Sequence, residues 1–137
     1  MLALVNAGSC RLISVFIGLL CLGACSPKPT PYEWQIPPGF PTPNVPDDNP
    51  MTLEKVELGE KLFNEARLSV NEQQSCASCH IKSLAFSDPK RVSVGTTGEA
   101  LPRNSMALVN VAYNGSFTWA HNGLGTLEKQ ILIPLFN

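Results

Sequence analysis

The residues best suited to chemistry are two cysteines and a histidine in the run Cys76-Ala77-Ser78-Cys79-His80. Two thiols separated by two residues can each add to a vinyl group of haem, and a histidine directly after them can bring its imidazole to the iron. The pattern therefore predicts a covalently bound haem c. Cys76 and Cys79 would form the thioether bonds, and His80 would be the proximal ligand of the iron.

Two other uses of a Cys-x-x-Cys pair fit the sequence less well. A structural zinc site needs four ligands, and after residue 25 the only further cysteine or histidine is His121. A thioredoxin-like redox pair needs a β-α-β setting, and the sequence shows no alternating strand pattern. Haem attachment is the interpretation that the residues favour.

The group on the other side of the iron decides between catalysis and electron transfer. A free sixth position lets peroxide or oxygen bind, whereas a methionine or histidine ligand there gives an electron carrier. Met51, Met106 and His121 are the candidates. Met106 lies beside apolar residues, as a core methionine does, and His121 lies in a predicted turn. We therefore expect an open iron. The alternative is a mono-haem electron-transfer lipoprotein with Met106 or His121 as sixth ligand.

Length and charge limit the remaining options. The chain has 137 residues, with 10 basic and 11 acidic side chains and a formal net charge of −1. It has no basic stripe or run of like charge, so nucleic acid is not an expected partner. A small domain buries a modest fraction of its surface and relies on a cofactor, metal or disulfide. A covalent haem would serve as part of its core.

The N-terminal residues 1–24 resemble a bacterial lipoprotein signal peptide. Arg11 precedes the apolar run Leu12–Leu22, and the sequence Leu-Gly-Ala before Cys25 resembles a lipobox. The run is shorter than the roughly 20 apolar residues that span a bilayer. We expect lipidation of Cys25 and delivery to the periplasm as an outer-membrane lipoprotein of a Gram-negative bacterium. The alternatives are a signal peptidase I substrate and a plain anchor.

Residues 25–50 hold nine of the twelve prolines. Proline favours extended polyproline II geometry, so this segment is predicted to be a semi-rigid tether. Its aromatic residues leave open whether it is a free spacer or packs on the domain surface. The domain itself would cover 51–137. Apolar residues at helical spacing predict a first helix over 51–64, with Asn49 as N-cap and Pro50 at the first helical position.

The rest of the domain is predicted to be helical with long loops. Turn signals predict an irregular loop over 90–103, which we expect to lie over the haem edge. A short helix is predicted over 105–113, and a last one over 127–133. Thr126 would cap that last helix and Pro134 would end it. The expected fold class is mainly α, a cytochrome c-like haem domain preceded by a signal peptide and a Pro-rich segment.

Beyond the haem motif, the sequence resembles the N-terminal domain of bacterial di-haem cytochrome c peroxidases and their MauG-type relatives. Within that superfamily, two further stretches look most like the MbnH-type di-haem enzymes, which are paired with a small copper-associated protein. The general resemblance is carried by Lys55 to Phe63, Leu68-Ser69, Cys76 to His80, Ala85 to Asp88, Pro102 to Ser105, Phe117 to Trp119 and Thr126 to Gln130, and the narrower one by Tyr32 to Pro43 and Asn110 to Asn114.

The resemblance implies further roles. Trp119 matches the tryptophan that relays electrons between the two haems, and Gln130 and Pro134 match distal-pocket residues. Asn104 matches a ligand of a calcium ion held between the two domains. Hydrogen peroxide would react at the iron opposite His80, and the electrons would come through a second haem from a donor protein or a protein substrate.

The resemblance also shows two departures. Classical members carry a displaceable distal histidine in a loop that has none here, over 93–98, so an open iron of the MauG type is expected. The family's second haem domain and its acid-base glutamate would lie after Asn137. We therefore expect this chain to be the N-terminal part of a longer enzyme, and to lack turnover by itself without that glutamate.

Overall fold

The computed structural model describes residues 28–119 and 124–136. The predicted signal peptide, Cys25 and His121 lie outside these residues. Within the described ranges the regular structure is helical, with isolated bridges but no β-strand, which agrees with the mainly α prediction. None of the helices found there has the length and apolar character needed to cross a membrane. The α-helices are α1 Leu53–Phe63, α2 Cys76–Cys79, α3 Leu127–Gln130 and α4 Leu132–Phe136, and the 3₁₀ helices are Ala66–Leu68, Lys82–Leu84 and Val111–Tyr113.

Helix α1 confirms the first predicted helix but not its cap. Thr52 has extended backbone angles, and its hydroxyl accepts a hydrogen bond from the Lys55 N–H at 3.2 Å. A threonine in this geometry satisfies one of the free N–H groups of the first turn. Asn49 and Pro50 precede the helix, where both accept hydrogen bonds from the Lys55 ammonium group. The predicted cap at Asn49 is therefore wrong by three residues.

The described part of the Pro-rich segment packs on the domain. The Thr30 N–H donates to both oxygens of Glu54, at 3.0 and 3.1 Å, and the Leu53 N–H donates to the Thr30 carbonyl at 2.9 Å. Hydrogen bonds from the Glu54 and Thr30 N–H groups lower the pKa of Glu54 to about 2. Further along, the Tyr113 hydroxyl donates to the Pro41 carbonyl at 2.8 Å. The Asn49 side-chain amide also donates to the Glu128 carboxylate of α3, at 3.2 Å. The segment thus contacts the domain near Thr30, at Pro41 and at Asn49.

The predicted helix over 105–113 is wrong except for the 3₁₀ turn Val111–Tyr113. Asn110 has left-handed backbone angles, with φ of 57°, which a continuous right-handed helix does not allow. At the other end of the stretch, the Ser105 N–H is bound by the Ser93 hydroxyl at 3.0 Å. Contacts with the preceding loop therefore replace the helical hydrogen bonds.

The last predicted helix is divided into α3 and α4. The cap at Thr126 is confirmed, because its hydroxyl accepts from the Lys129 N–H at 3.3 Å. Pro134 does not end a helix as predicted; it is the third residue of α4. The first N–H groups of a helix have no acceptor within it, so a proline there breaks no hydrogen bond.

Few of the described residues are buried. They are Pro43, Asp88, which is 9% exposed, and Ser93, which is 1% exposed, and no aliphatic or aromatic side chain is among them. Large apolar side chains instead remain exposed on several helices. Open apolar surface of this kind marks a binding face for a ligand or another protein.

Candidate haem-binding site

Helix α2 places both thiols and the imidazole within a single turn. Cys76 is the first residue of this helix and Cys79 is the last. His80 follows as the C-cap, and its backbone N–H donates to the Cys76 carbonyl at 2.9 Å. Ser75 and Ser78 form a reciprocal capping box that fixes the start of the turn, with the Ser75 N–H donating to the Ser78 hydroxyl at 3.0 Å. The sequence thus builds a short helix whose positions are set by local hydrogen bonds.

The ring of His80 is oriented by a backbone carbonyl. Its Nδ1 lies 2.8 Å from the carbonyl oxygen of Phe86. A carbonyl can only accept a hydrogen bond, so Nδ1 carries the proton. The other nitrogen, Nε2, then has the lone pair that an iron ion requires, and the hydrogen bond at Nδ1 makes it a stronger ligand.

A tight turn presents the Phe86 carbonyl to His80. The Ile81 N–H donates to the Ser87 carbonyl at 3.1 Å, and the Phe86 N–H donates to the Ile81 carbonyl at 2.9 Å. Ala85 and Phe86 have φ of 55° and 56°, in the left-handed region that residues with a side chain rarely adopt. Two such residues in succession indicate that the turn is retained for a purpose other than local stability.

An open cleft of about 650 Å³ lies beside His80. Its lining includes the apolar side chains of Phe63, Ile81, Phe86 and Leu108. The Phe63 ring of helix α1 lies 6.3 Å from the His80 ring and 6.0 Å from the Phe86 ring, measured between centroids. The volume falls within the roughly 300–1,000 Å³ of cofactor pockets. The cleft is lined by Ala77 and His80 of the haem motif but by neither cysteine. Its apolar lining and the oriented imidazole fit a haem, and attachment at Cys76 and Cys79 stays a prediction.

The charge environment of the thiols also fits thioether formation. Burial raises the pKa of Cys76 and of Cys79, and the negative charge of Asp88 raises that of Cys79 further. This environment suits a neutral sulfur, as in a thioether, better than the thiolate that a zinc ion binds. The described ranges contain no group of three or more histidine, cysteine and acidic residues that could hold a metal ion.

A polar network fixes the segment that follows His80. The hydroxyls of Ser93 and Ser105 lie 2.8 Å apart, and the Ser93 oxygen also accepts from the Ser105 N–H. The Lys90 N–H donates to the Asp88 carboxylate at 2.8 Å. This hydrogen bond, with help from the Ser93 side chain, lowers the pKa of Asp88. The network joins a local contact, from Lys90 to Asp88, with contacts between Ser93 and Ser105, which are twelve residues apart.

Asn104 and Trp119, both predicted site residues, contact each other. The Trp119 indole N–H donates to the Asn104 carbonyl at 3.1 Å, and the Arg103 guanidinium lies 5.6 Å from the centre of the indole ring. The side-chain oxygen of Asn104 accepts from the Ser87 hydroxyl at 2.9 Å, and its amide nitrogen donates to the Asp88 carbonyl at 2.7 Å. The predicted calcium site at Asn104 stays a prediction.

Gln130 has an unusual environment on helix α3. Its side-chain oxygen is shielded from solvent and accepts no hydrogen bond from the described residues. A buried amide oxygen without a partner costs about 1–3 kcal/mol, so such an atom indicates a donor that lies outside the described residues. The structure does not bring Gln130 or Met106 to the cleft beside His80, whose described lining comes from other segments.

Sequence reasoning missed the atoms that orient His80. The acceptor for Nδ1 is the backbone carbonyl of Phe86, and a carbonyl has no signature in the sequence. The roles of Ser93 and Ser105 were missed as well, because serines are common in surface loops. The one available signal was the Ser87-Asp88-Pro89 turn, which indicates a bend but not the direction of a carbonyl.

Comparisons with known proteins agree with this site. The family model for di-haem cytochrome c peroxidase matches residues 53–137. The chain is 42% identical over 98 residues to the cytochrome-c peroxidase IdrP1 of Denitromonas iodatirespirans, covering 70% of this chain and 26% of that protein. It is 40% identical over 90 residues to the methylamine utilization protein MauG of Methylorubrum extorquens, covering 66% of this chain and 25% of that protein.

A solved structure shares the fold. It is the crystal structure of a MauG-like protein associated with microbial copper homeostasis, with a TM-score of 0.74 and 46% identity, covering 77% of this chain and 30% of that one. The chain thus spans about a quarter of the length of the curated relatives named above. Because the family model covers well over half of the sequence, including the haem motif, this chain belongs to the di-haem cytochrome c peroxidase family.

Proposed function

We propose that this chain is the N-terminal haem domain of a di-haem oxidoreductase that reduces hydrogen peroxide at an open iron. A second haem in the remainder of the enzyme would pass on electrons from a donor protein or a protein substrate. The observation that carries the proposal is the hydrogen bond from His80 Nδ1 to the Phe86 carbonyl. This hydrogen bond leaves the lone pair on Nε2 free to bind iron, at the residue that directly follows the two thiols of α2.

When bound, haem would supply redox chemistry toward peroxide. The chain's own residues would attach and orient this group. Cys76 and Cys79 would hold it through thioether bonds, and His80 would ligate its iron. The Phe86 carbonyl keeps the imidazole in one tautomer and increases its basicity, which favours the oxidised iron.

Two further residues are assigned supporting roles in the proposal. Gln130 would accept a hydrogen bond from peroxide, because its side-chain oxygen is shielded and has no acceptor role within the described chain. Trp119 would carry electrons. Its ring is 55% exposed, and its indole N–H is held by Asn104. An exposed aromatic ring with a fixed orientation suits transfer to a group outside this domain.

The proposal extends to the setting of the enzyme. Haem c attachment and the lipobox-like sequence before Cys25 support a periplasmic protein, anchored in the outer membrane by a lipid. The similarity to a MauG-like protein associated with copper homeostasis supports a protein substrate rather than a small molecule. Calcium bound at Asn104 completes the proposed setting.

The test is to express the full chain in a bacterium competent for cytochrome c maturation and record its spectra. We expect a positive haem stain, a high-spin component in the ferric spectrum and a spectral change when peroxide is added. Spectra are measured rather than turnover, since turnover needs the rest of the enzyme. A wholly low-spin haem with a spectrum unchanged by peroxide would refute the proposal.

A matched pair of variants identifies the sixth ligand. Met106→Ala tests the electron-carrier alternative, and Val109→Ala, at an exposed apolar position nearby, is its control. We expect neither variant to change the ferric spectrum. Loss of a sulfur-to-iron absorption band in Met106→Ala alone would establish the mono-haem carrier instead.

A further inference from the structure

We infer that Asn104 is a positioning residue that holds the proximal ligand His80 and the tryptophan Trp119 in one fixed arrangement. The inference rests on the proposed function, because it assumes that haem is bound at His80. It gives the Asn104 side chain a role within this domain that does not depend on a metal ion.

The side chain of Asn104 uses both ends of its amide. Its oxygen accepts the Ser87 hydroxyl at 2.9 Å, and its nitrogen donates to the carbonyls of Asp88, at 2.7 Å, and Lys90, at 2.5 Å. These three partners fall within four consecutive residues. The Asn104 amide therefore fixes the conformation of residues 87–90 through three hydrogen bonds.

This closed segment begins next to the residue that orients His80. Ser87 follows Phe86, and the Ser87 carbonyl accepts the Ile81 N–H at 3.1 Å in the turn that directs the Phe86 carbonyl. The Ser87 hydroxyl also lies 2.8 Å from the Ser105 carbonyl, so its single proton is shared between two acceptors. Ser87 thus connects Asn104 to the hydrogen bond at His80 Nδ1. Its hydroxyl binds the Asn104 side chain, and its carbonyl binds the turn that directs the Phe86 carbonyl.

The backbone of the same residue holds Trp119. The Asn104 carbonyl accepts the indole N–H at 3.1 Å, while the neighbouring Arg103 places its guanidinium 5.6 Å from the ring centre. The indole is therefore held at its edge and over its face by two consecutive residues. Since the side chain of Asn104 is fixed to the proximal turn, the indole is fixed relative to that turn as well.

Only an amide can make these contacts. Aspartate keeps the oxygen that accepts from Ser87 but loses the N–H donors, and it places a carboxylate oxygen against two carbonyl oxygens. For a calcium ion the preference is the opposite, because a carboxylate is a better ligand than an amide. Substitution by aspartate therefore separates the two roles of Asn104.

The experiment compares Asn104→Ala and Asn104→Asp in the haem-bound full chain, with Asn114→Asp as a control that adds the same charge at an exposed position. Resonance Raman spectra of the ferrous protein give the iron–histidine stretching frequency, which reports the hydrogen bond at Nδ1. We expect the frequency to fall in both Asn104 variants and to remain unchanged in the control.

The indole is monitored in a Trp34→Phe background, where Trp119 is the only tryptophan. We expect a single dominant fluorescence lifetime in the parent and several lifetimes in either Asn104 variant, because the ring then takes up several orientations near the haem. If both variants keep the parental stretching frequency and lifetime, the inference is refuted.

Two other outcomes are distinguishable. If Asn104→Asp behaves as the parent and removal of calcium by a chelator reproduces Asn104→Ala, calcium binding alone accounts for the effects of substitution, and the positioning role of the amide is refuted. If the parent itself shows no haem or no response to peroxide, the proposed function fails instead. Should neither Asn104 variant mature, Ser87→Ala removes only one contact of the amide. An iron–histidine stretching frequency below that of the parent then supports the inference, and an unchanged frequency refutes it.

Discussion

The segment after the proximal histidine, residues 80–105, and the C-terminal helices α3 and α4 are stabilised in different ways. The first contains the two most buried polar residues, Ser93 and Asp88, and is tied by hydrogen bonds from serine and asparagine side chains. The second exposes apolar side chains that range from 41% to 82% accessible. These are Leu127, Ile131, Leu132, Ile133 and Phe136.

The difference indicates that the chain stabilises residues 80–105 by itself, whereas helices α3 and α4 need a bound group for stability. The polar contacts of residues 80–105 are made within the chain itself, so we expect them to form before a cofactor is bound. Exposed apolar helices gain stability only when another surface covers them. The proximal side of the proposed haem site is therefore preorganised, whereas α3 and α4, including the unpartnered oxygen of Gln130, depend on haem or on a further protein surface.

The largest expected effect comes from removing haem. The double variant Cys76→Ser and Cys79→Ser should lose the covalent haem completely, since no thiol remains to form a thioether. Hydrogen–deuterium exchange should then show protection retained over residues 80–105 and lost over 124–136. The control is Ser83→Ala, an exposed position. Equal loss of protection in both regions would contradict the proposed preorganisation.

Removing the most buried hydroxyl should destabilise the proximal region directly. Ser93→Ala leaves the Ser105 N–H without its acceptor, and we expect the free energy of unfolding to fall by about 1–3 kcal/mol. Denaturant unfolding of the haem-bound chain measures this loss. Ser83→Ala should change stability by less than about 0.5 kcal/mol, as exposed substitutions do. Similar values for the two variants would show that the network contributes little.

Loss of the cap on α3 should have a smaller and more local effect. Thr126→Ala removes the hydroxyl that accepts from the Lys129 N–H, and such substitutions cost about 1 kcal/mol. Amide exchange should become faster in α3 and stay unchanged in residues 80–105. Thr126→Ser retains the hydroxyl and should behave as the parent. Faster exchange in both regions would indicate that they are coupled rather than independent.

The smallest effect is expected at the contact between Glu54 and the Pro-rich segment. The pKa of Glu54 is lowered to about 2 from its ordinary value of 4.5. A lowered pKa means that the contact stabilises fully above the ordinary value and is lost as the pH falls through about 2. In the haem-free double variant, the amide NMR signal of Thr30 should titrate with this midpoint, and Glu54→Gln should abolish the titration. A midpoint near 4.5 would contradict the contact.

The sequence was most informative where side chains act directly. It predicted the helix α1 and the cap at Thr126 correctly from residue types and spacing, and it singled out the Cys76 to His80 motif, whose haem binding stays a prediction. Each of these depends on contacts within a few residues, which local patterns encode. The family resemblance added Trp119, Asn104 and Gln130 but not their contacts.

The errors in the sequence-based predictions have physical causes. Asn49 and Thr52 are both good N-cap residues, and the choice between them depends on the bond between Leu53 and Thr30, far away in sequence. Pro134 ends a continuous helix but is accepted near the start of a new one, so its effect depends on the break at Ile131. The predicted helix over 105–113 does not form at its start, because the Ser105 N–H donates to the Ser93 hydroxyl instead.

The left-handed turn at Ala85 and Phe86 sets a minimum length for a working haem peptide. A proteolytic fragment that ends at His80 would keep both thioether bonds and the imidazole, but water would replace the carbonyl at Nδ1, and either tautomer could form. The carbonyl lies six residues downstream and is directed by a bond between Ile81 and Ser87. A miniature catalyst cut from this protein would therefore need to extend from Cys76 to Ser87 to include the orienting carbonyl together with the ligand.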